Sequence, residues 1–141
     1  MIGSFLVDTS AYVRLTSDRD LRSQWWRHIE SGLIRISKST RAEILFSARN
    51  SADRDDLEDE LTALFGPAVS PPKSIWDWID TAQYKLTQKG QHRAAGLADL
   101  LLAGTAVHHD MTVLHLDDDF ATVARVVGEL REQDVRRSTT S

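Results

Sequence analysis

The chain has 141 residues, 41% hydrophobic and 27% charged, with a formal net charge of −4 and no cysteine. That length suits one domain with a real core, and the balance is that of a soluble globular protein. Without cysteine, disulfides, thiolate nucleophiles, zinc–thiolate sites and iron–sulfur clusters are excluded.

Ser4-Phe5-Leu6-Val7 reads as a short buried strand, followed by a turn and a helix from about Ser10. A helix over roughly 18–31 carries Leu21, Trp25, Trp26 and Ile29 at helical spacing, and Gly32 stops it. Leu33-Ile34-Arg35-Ile36-Ser37 is the next strand, after which Ser39 or Thr40 caps a helix reaching about Arg49. Asp53 opens another helix, and its Asp55, Asp56, Glu58, Asp59 and Glu60 read as a solvated face. Gly66-Pro67 ends it, and Pro71-Pro72 marks a loop. Residues 74–89 form a helix with Ile75, Trp78, Ile79 and Ala82 as its apolar stripe. Trp76 and Trp78 read as packing residues, not as a base-stacking platform.

After a polar loop at 91–96, residues 97–109 form a nearly all-apolar and therefore buried helix. A strand at 112–116 follows, and Asp117-Asp118-Asp119 opens the last helix. The expected organisation is a single domain over 1–135 with a disordered tail over 136–141. Strands separated by helices predict an α/β fold, a mostly parallel sheet with helices on both faces. Met1-Ile2-Gly3-Ser4 lacks a basic segment, and its apolar stretch ends at Asp8. No signal peptide, anchor or membrane span is expected, and the expected location is cytoplasmic.

Four acids stand against apolar runs: Asp8 after the first strand, Glu43 before Ile44-Leu45-Phe46, Asp99 before Leu100-Leu101-Leu102, and Asp117 after Val113-Leu114-His115-Leu116. Burying an unpaired charge is costly, and no basic run nearby in sequence pairs with all four. In an open α/β sheet, sites form outside the carboxyl ends of the strands, where the following helices begin. Acids far apart in sequence can converge there. Such carboxylates raise one another's pKa values unless a cation holds them ionised, and oxygen-only ligation points to Mg²⁺ or Mn²⁺.

Each acid also has a purely structural reading. Asp8-Thr9-Ser10 can cap a helix, Thr40-x-x-Glu43 fits a capping box, and Asp117 or Asp119 can be an N-cap. Asp99 has no such local use in the sequence, since its own face carries only Ala103 and Ala106. His108, His109 and His115 lack the spacing that sets two on one helical face, so a histidine metal site is not expected. The net charge argues against broad electrostatic capture of nucleic acid. Arg14, Arg19, Arg22, Arg27, Lys38, Arg41 and Arg93 can still line one face. Arg93, in the loop before Asp99, is a candidate phosphate contact.

These motifs resemble those of the PIN-domain family, particularly the VapC toxins of bacterial toxin–antitoxin pairs. Asp8-Thr9-Ser10 is similar to the opening motif, Thr40-Arg41-Ala42-Glu43-Ile44-Leu45 to the second, Gly96-Leu97-Ala98-Asp99-Leu100-Leu101-Leu102-Ala103 to the third, and His115-Leu116-Asp117-Asp118-Asp119-Phe120 to the fourth. The likeness spans residues 4 to about 127, while 50–95 carries no family signature. It implies a PIN-like three-layer sandwich and a metal-dependent endoribonuclease. Asp8, Asp99 and Asp117 would hold Mg²⁺ or Mn²⁺, with Glu43 as a ligand or as the orienter of water. One metal activates the attacking water, and a second, if bound, stabilises the leaving oxygen. Thr9 or Ser10 would contact metal water or phosphate. Asp119 would sit behind the ligands, and Asp118 would face solvent. The family further implies structured RNA such as tRNA or rRNA as target, 5′-phosphate products, a homodimer, and a VapB-like antitoxin whose basic segment enters the acidic pocket. Alternatives are a PIN nuclease outside a toxin module, a haloacid-dehalogenase-type phosphohydrolase, and a non-catalytic α/β binding module whose acids are caps. The phosphohydrolase ranks behind, because its second aspartate position holds Ser10.

Overall fold

The computed structural model describes residues 3–137. The elements run β1 (Phe5–Val7), α1 (Thr9–Ser17), α2 (Arg19–Glu30), β2 (Ile34–Ile36), α3 (Lys38–Phe46), α4 (Ser51–Phe65), α5 (Ile75–Gln88), α6 (Leu97–His108), β3 (Thr112–His115), α7 (Asp118–Val126) and β4 (Glu132–Asp134). The strands form one parallel sheet in the order β2-β1-β3-β4. β1 is central: Leu6 pairs with Arg35 on one side and Val113 on the other.

Alternation along the strands divides the core between the two faces. Phe5, Val7 and Leu114 point into a cluster with Tyr12, Leu15, Trp25, Ile29, Leu61 and Phe65, from α1, α2 and α4. Leu6 and Val113 point the other way, onto Ile79, Leu86, Leu100, Leu102, Phe120 and Val123, from α5, α6 and α7. The result is the expected three-layer α/β/α sandwich, and strands buried on both faces read as continuous apolar runs for that reason. On the second face α5 and α6 approach closely at Gly104, where a Cβ would lie 2.8 Å from the Trp78 ring.

The expected element types hold along most of the chain, with four corrections. The helix after β2 is capped by Ser37, whose hydroxyl accepts from the Thr40 amide at 3.2 Å, so neither Ser39 nor Thr40 is the cap. Trp26 and Trp76 are not packing residues: they are 48% and 60% exposed. A fourth strand, β4, lies beyond the last expected helix, and Val127, Leu130 and Val135 around it are buried. Its own residues, Glu132-Gln133-Asp134, are polar and half-buried, so neither alternation nor an apolar run announces it. Finally, the expected tail begins inside the described residues, where Arg136 pairs with Asp134 at 2.7 Å; residues 138–141 lie outside them. Among the described residues no helix is long and apolar enough to cross a membrane.

The segment around Val135 is fastened by Trp25, which is 2% exposed and donates its indole N–H to the Val135 carbonyl at 2.7 Å. Trp25→Phe leaves that buried carbonyl unpartnered and opens space beside Phe5. It should lower the unfolding free energy by about 2 kcal/mol. Urea unfolding followed by far-UV circular dichroism measures this, and amide exchange should quicken most around residues 132–135.

Candidate active site

The strand order reverses between β1 and β3, and a crevice outside the carboxyl ends of those two strands is where α/β sheets bind ligands. Asp8 is the residue after β1, and Asp117 follows β3 by two positions. Helices that run back antiparallel to the strands start at this same edge, which brings in α6 with Asp99 and α3 with Glu43. All four sequence-predicted acids thus belong to one rim.

Asp8 is 8% exposed and caps α1, accepting the Ala11 amide at 2.8 Å. The Ser10 hydroxyl lies 2.8 and 2.9 Å from its two carboxylate oxygens. Burial pushes the Asp8 pKa up, opposed by these hydrogen bonds and reinforced by the charge of Asp117. Ser10 also accepts the Leu116 amide at 3.1 Å. One hydroxyl therefore ties the loop after β1 to the loop after β3, and with it Asp8 to the segment carrying Asp117.

Glu43 lies in the second turn of α3, because Ser37 is the cap. Thr40 is then the third helical residue, and the expected Thr40–Glu43 capping box does not form. Glu43 instead accepts a hydrogen bond from the Thr9 hydroxyl, joining α3 to α1 across the rim.

Asp99 is the third residue of α6. Its pKa is raised to about 6, first by burial and then by the charges of Asp117, Asp8 and Asp119, while the Gly96 amide at the head of that helix lowers it. Asp117 caps α7, accepting the Asp119 amide at 3.0 Å. The Asp119 pKa is raised by burial and by neighbouring Asp117, while Asp118 is exposed as expected.

A cavity of about 40 Å³ is lined by Asp8, Thr9, Ser39, Thr40, Glu43, Ala98, Asp99 and Leu102. That is room for a water molecule or a bare cation. Asp117 is not in the lining; it acts on Asp8 and Asp99 by charge from the rim. Arg93 is exposed and does not line the cavity either. Ser39 and Thr40 were legible only as possible caps, although a Ser-Lys-Ser-Thr run leaving a strand is a signal for hydroxyls at the carboxyl edge. The donors are carboxylate and hydroxyl oxygens, a set that fits a hard divalent cation. Among the described residues no three acids or histidines are already close enough to hold one ion, so a cation would have to draw them in. Two of the histidines near the last strand are engaged elsewhere: His109 lies 2.9 Å from the Ser70 carbonyl oxygen, and His115 contacts Glu132 at 2.8 Å.

A PIN domain family model matches residues 5–126. The chain is 38% identical to Ribonuclease VapC2 of Mycobacterium tuberculosis over 135 residues, covering 94% of each chain. It is 39% identical to Ribonuclease VapC6 of the same organism over 98 residues, covering 67% of this chain and 74% of that one. Its fold is similar to that in the crystal structure of VapBC2 from Rickettsia felis bound to a DNA fragment from their promoter. The TM-score is 0.74 at 16% identity, with 92% of this chain and 96% of that one covered.

The raised Asp99 pKa makes a pH prediction for the cation-free protein. The folded carboxyl keeps its proton to about pH 6, against an ordinary value of 3.8. Between these values the folded state binds more protons than the unfolded state. Stability therefore falls as pH rises from about 4 to about 6, then levels off. Asp99→Asn should flatten that step and raise the unfolding free energy at pH 7 by about 1 kcal/mol, allowing for partial solvent screening. Urea unfolding in EDTA at pH 4 and pH 7 reads it; an undiminished step in the variant would place it on another group.

Proposed function

Because the chain belongs to the PIN-domain family, we propose that it is the endoribonuclease toxin of a VapBC-type toxin–antitoxin module, cutting RNA with Mg²⁺ or Mn²⁺. The observation that carries this reading is the convergence of Asp8, Glu43 and Asp99 on one small cavity at the switch point, with Asp117 on its rim. Capping alone accounts for Asp8 and Asp117 singly. It does not account for like charges gathered where their mutual repulsion raises the Asp99 pKa. The names of the relatives, both ribonucleases, support the same chemistry.

Asp8, Asp99 and Asp117, with Glu43, would hold the cation. When bound, it lowers the pKa of the attacking water and offsets charge developing on the phosphate. The chain's own residues then divide the remaining work. Ser10 and the Ala11 amide hold the Asp8 carboxylate in one orientation. Thr9 engages Oε1 of Glu43, leaving Oε2 to accept a proton from water. Attack at phosphorus places the water oxygen on the 5′-phosphate and breaks the bond to the 3′-oxygen, which takes a proton from solvent to leave as the 3′-hydroxyl. Structured RNA such as tRNA or rRNA is the substrate class, as in the family. The antitoxin is a VapB-like protein whose basic segment enters the acidic pocket, a pairing supported by the complex from Rickettsia felis, and the toxin itself is a homodimer.

Purified protein should cut total RNA into discrete fragments with 5′-phosphates in Mg²⁺ or Mn²⁺ and not in EDTA. Asp8→Asn should lower the rate by about a hundredfold or more while the protein stays folded. RNA left intact by folded protein in both metals would sink the nuclease reading. Separately, millimolar Mn²⁺ should raise the melting temperature by mass action. Asp8→Asn and Asp99→Asn should each shrink that rise in a thermal-shift titration, and a flat wild-type titration would remove the cation from the mechanism.

A further inference from the structure

His115 is the last residue of β3 and is 3% exposed, and both its ring nitrogens are engaged. Nδ1 accepts the backbone N–H of Asp117 at 3.0 Å. A nitrogen that accepts an amide N–H carries no proton itself, so the proton of the neutral ring sits on Nε2. Nε2 lies 2.8 Å from Oε1 of Glu132, an acceptor supplied by the neighbouring strand β4. Phe120 packs against the ring with centroids 5.3 Å apart. The imidazole thus has one tautomer and one orientation, fixed by a carboxylate behind it and a peptide in front.

That peptide belongs to Asp117. Its amide is gripped by His115, and its carboxylate oxygen Oδ1 accepts the Asp119 amide at 3.0 Å, so the turn leading into α7 is held from both ends. The neighbouring Leu116 amide is held by Ser10, which also holds Asp8. We propose that His115 and Glu132 are a positioning pair for Asp117, using β4 to set that carboxylate at the rim of the cleavage site. The inference rests on Asp117 belonging to that site. It gives β4, a strand of three polar residues with little core to contribute, a role in function. The pair acts through the backbone, as partners behind a ligand do when they fix its orientation.

The test separates the two ring nitrogens. His115→Asn places an amide oxygen near Nδ1 and keeps the acceptor for the Asp117 amide. His115→Gln reaches the Nε2 position and loses that acceptor. Each variant is compared with wild type, Asp117→Asn and Glu132→Ala in RNA cleavage, in a Mn²⁺ thermal-shift titration and in ¹⁵N-histidine NMR. Expected is a His115→Gln protein down about tenfold or more in kcat, with KM for RNA little changed and a weaker Mn²⁺ midpoint. His115→Asn and Glu132→Ala, which keep the acceptor for the Asp117 amide and lose the tie to β4, should show smaller but clear losses of about threefold to fivefold in kcat. Wild-type kcat in Glu132→Ala would overturn the pairing. The wild-type NMR spectrum should report the neutral ring protonated on Nε2, and Glu132→Ala should mix in the other tautomer. Equal losses in the Asn and Gln variants, tracking their melting temperatures, would reduce His115 to a core residue and overturn the proposal. So would wild-type kcat and Mn²⁺ midpoint in His115→Gln while Asp117→Asn is inactive, with the nuclease reading left standing. Full activity in Asp117→Asn alongside an inactive Asp8→Asn would instead remove Asp117 from the site, and the proposal with it. Absence of cleavage by wild type overturns both readings.

Discussion

Parallel pairing of β1 with β2 on one side and β3 on the other decides where every acid of the site stands. β1 has only three residues, all buried, and they alternate between two separate cores. A slip of one residue would send Leu6 into the face that holds Phe5 and Val7, so the register is fixed by packing on both sides at once. Asp8 follows directly and has no freedom to move along the sheet. The Ser10 hydroxyl then carries that fixed position across to the end of β3, where Asp117 lies.

Gathering carboxylates at this edge costs solvation and adds repulsion, and the polar contacts around the rim oppose both. Asp8 is served by an amide and a hydroxyl, Glu43 by Thr9, and Asp117 by the Asp119 amide. Each contact orients a carboxylate without neutralising it. Asp99 shows what remains uncompensated, since burial and three acidic neighbours together hold its pKa near 6. Some of that strain is what a divalent cation would relieve, because positive charge stabilises the ionised forms that burial disfavours. The same hydrogen bonds explain why structural and functional readings of these acids are hard to part: a helix N-terminus both needs a carboxylate and presents it to the crevice.

Much of the fold was legible in the sequence, as were the acids of the candidate site, for identifiable reasons. β1, β2 and β3 were found because strands buried on both faces are short apolar runs, and α6 because its apolar surface goes all the way round. The four acids stood out because each interrupts or borders such a run. Failures came where the deciding partner is distant in sequence. β4 is polar and pairs with β3 after a crossover. Trp26 and Trp76 sit at spacings compatible with burial but meet no partner element. The Thr40–Glu43 capping box was displaced by Ser37, which is one residue beyond β2 and caps the helix earlier.

By itself, then, the sequence determined most element types, most of the apolar faces and the placement of Asp8, Asp99 and Asp117 at helix starts, because these depend on periodicity and on local competition for backbone amides. Only the tertiary structure decided which acids share the cavity and which stands on its rim, that Glu43 bonds Thr9, and that His115 joins Glu132 on β4 to the Asp117 amide. Those contacts bridge 34 residues for Thr9–Glu43, 106 for Ser10–Leu116 and 17 for His115–Glu132. They exist because parallel crossovers bring distant segments to one sheet edge, and no local propensity encodes that meeting.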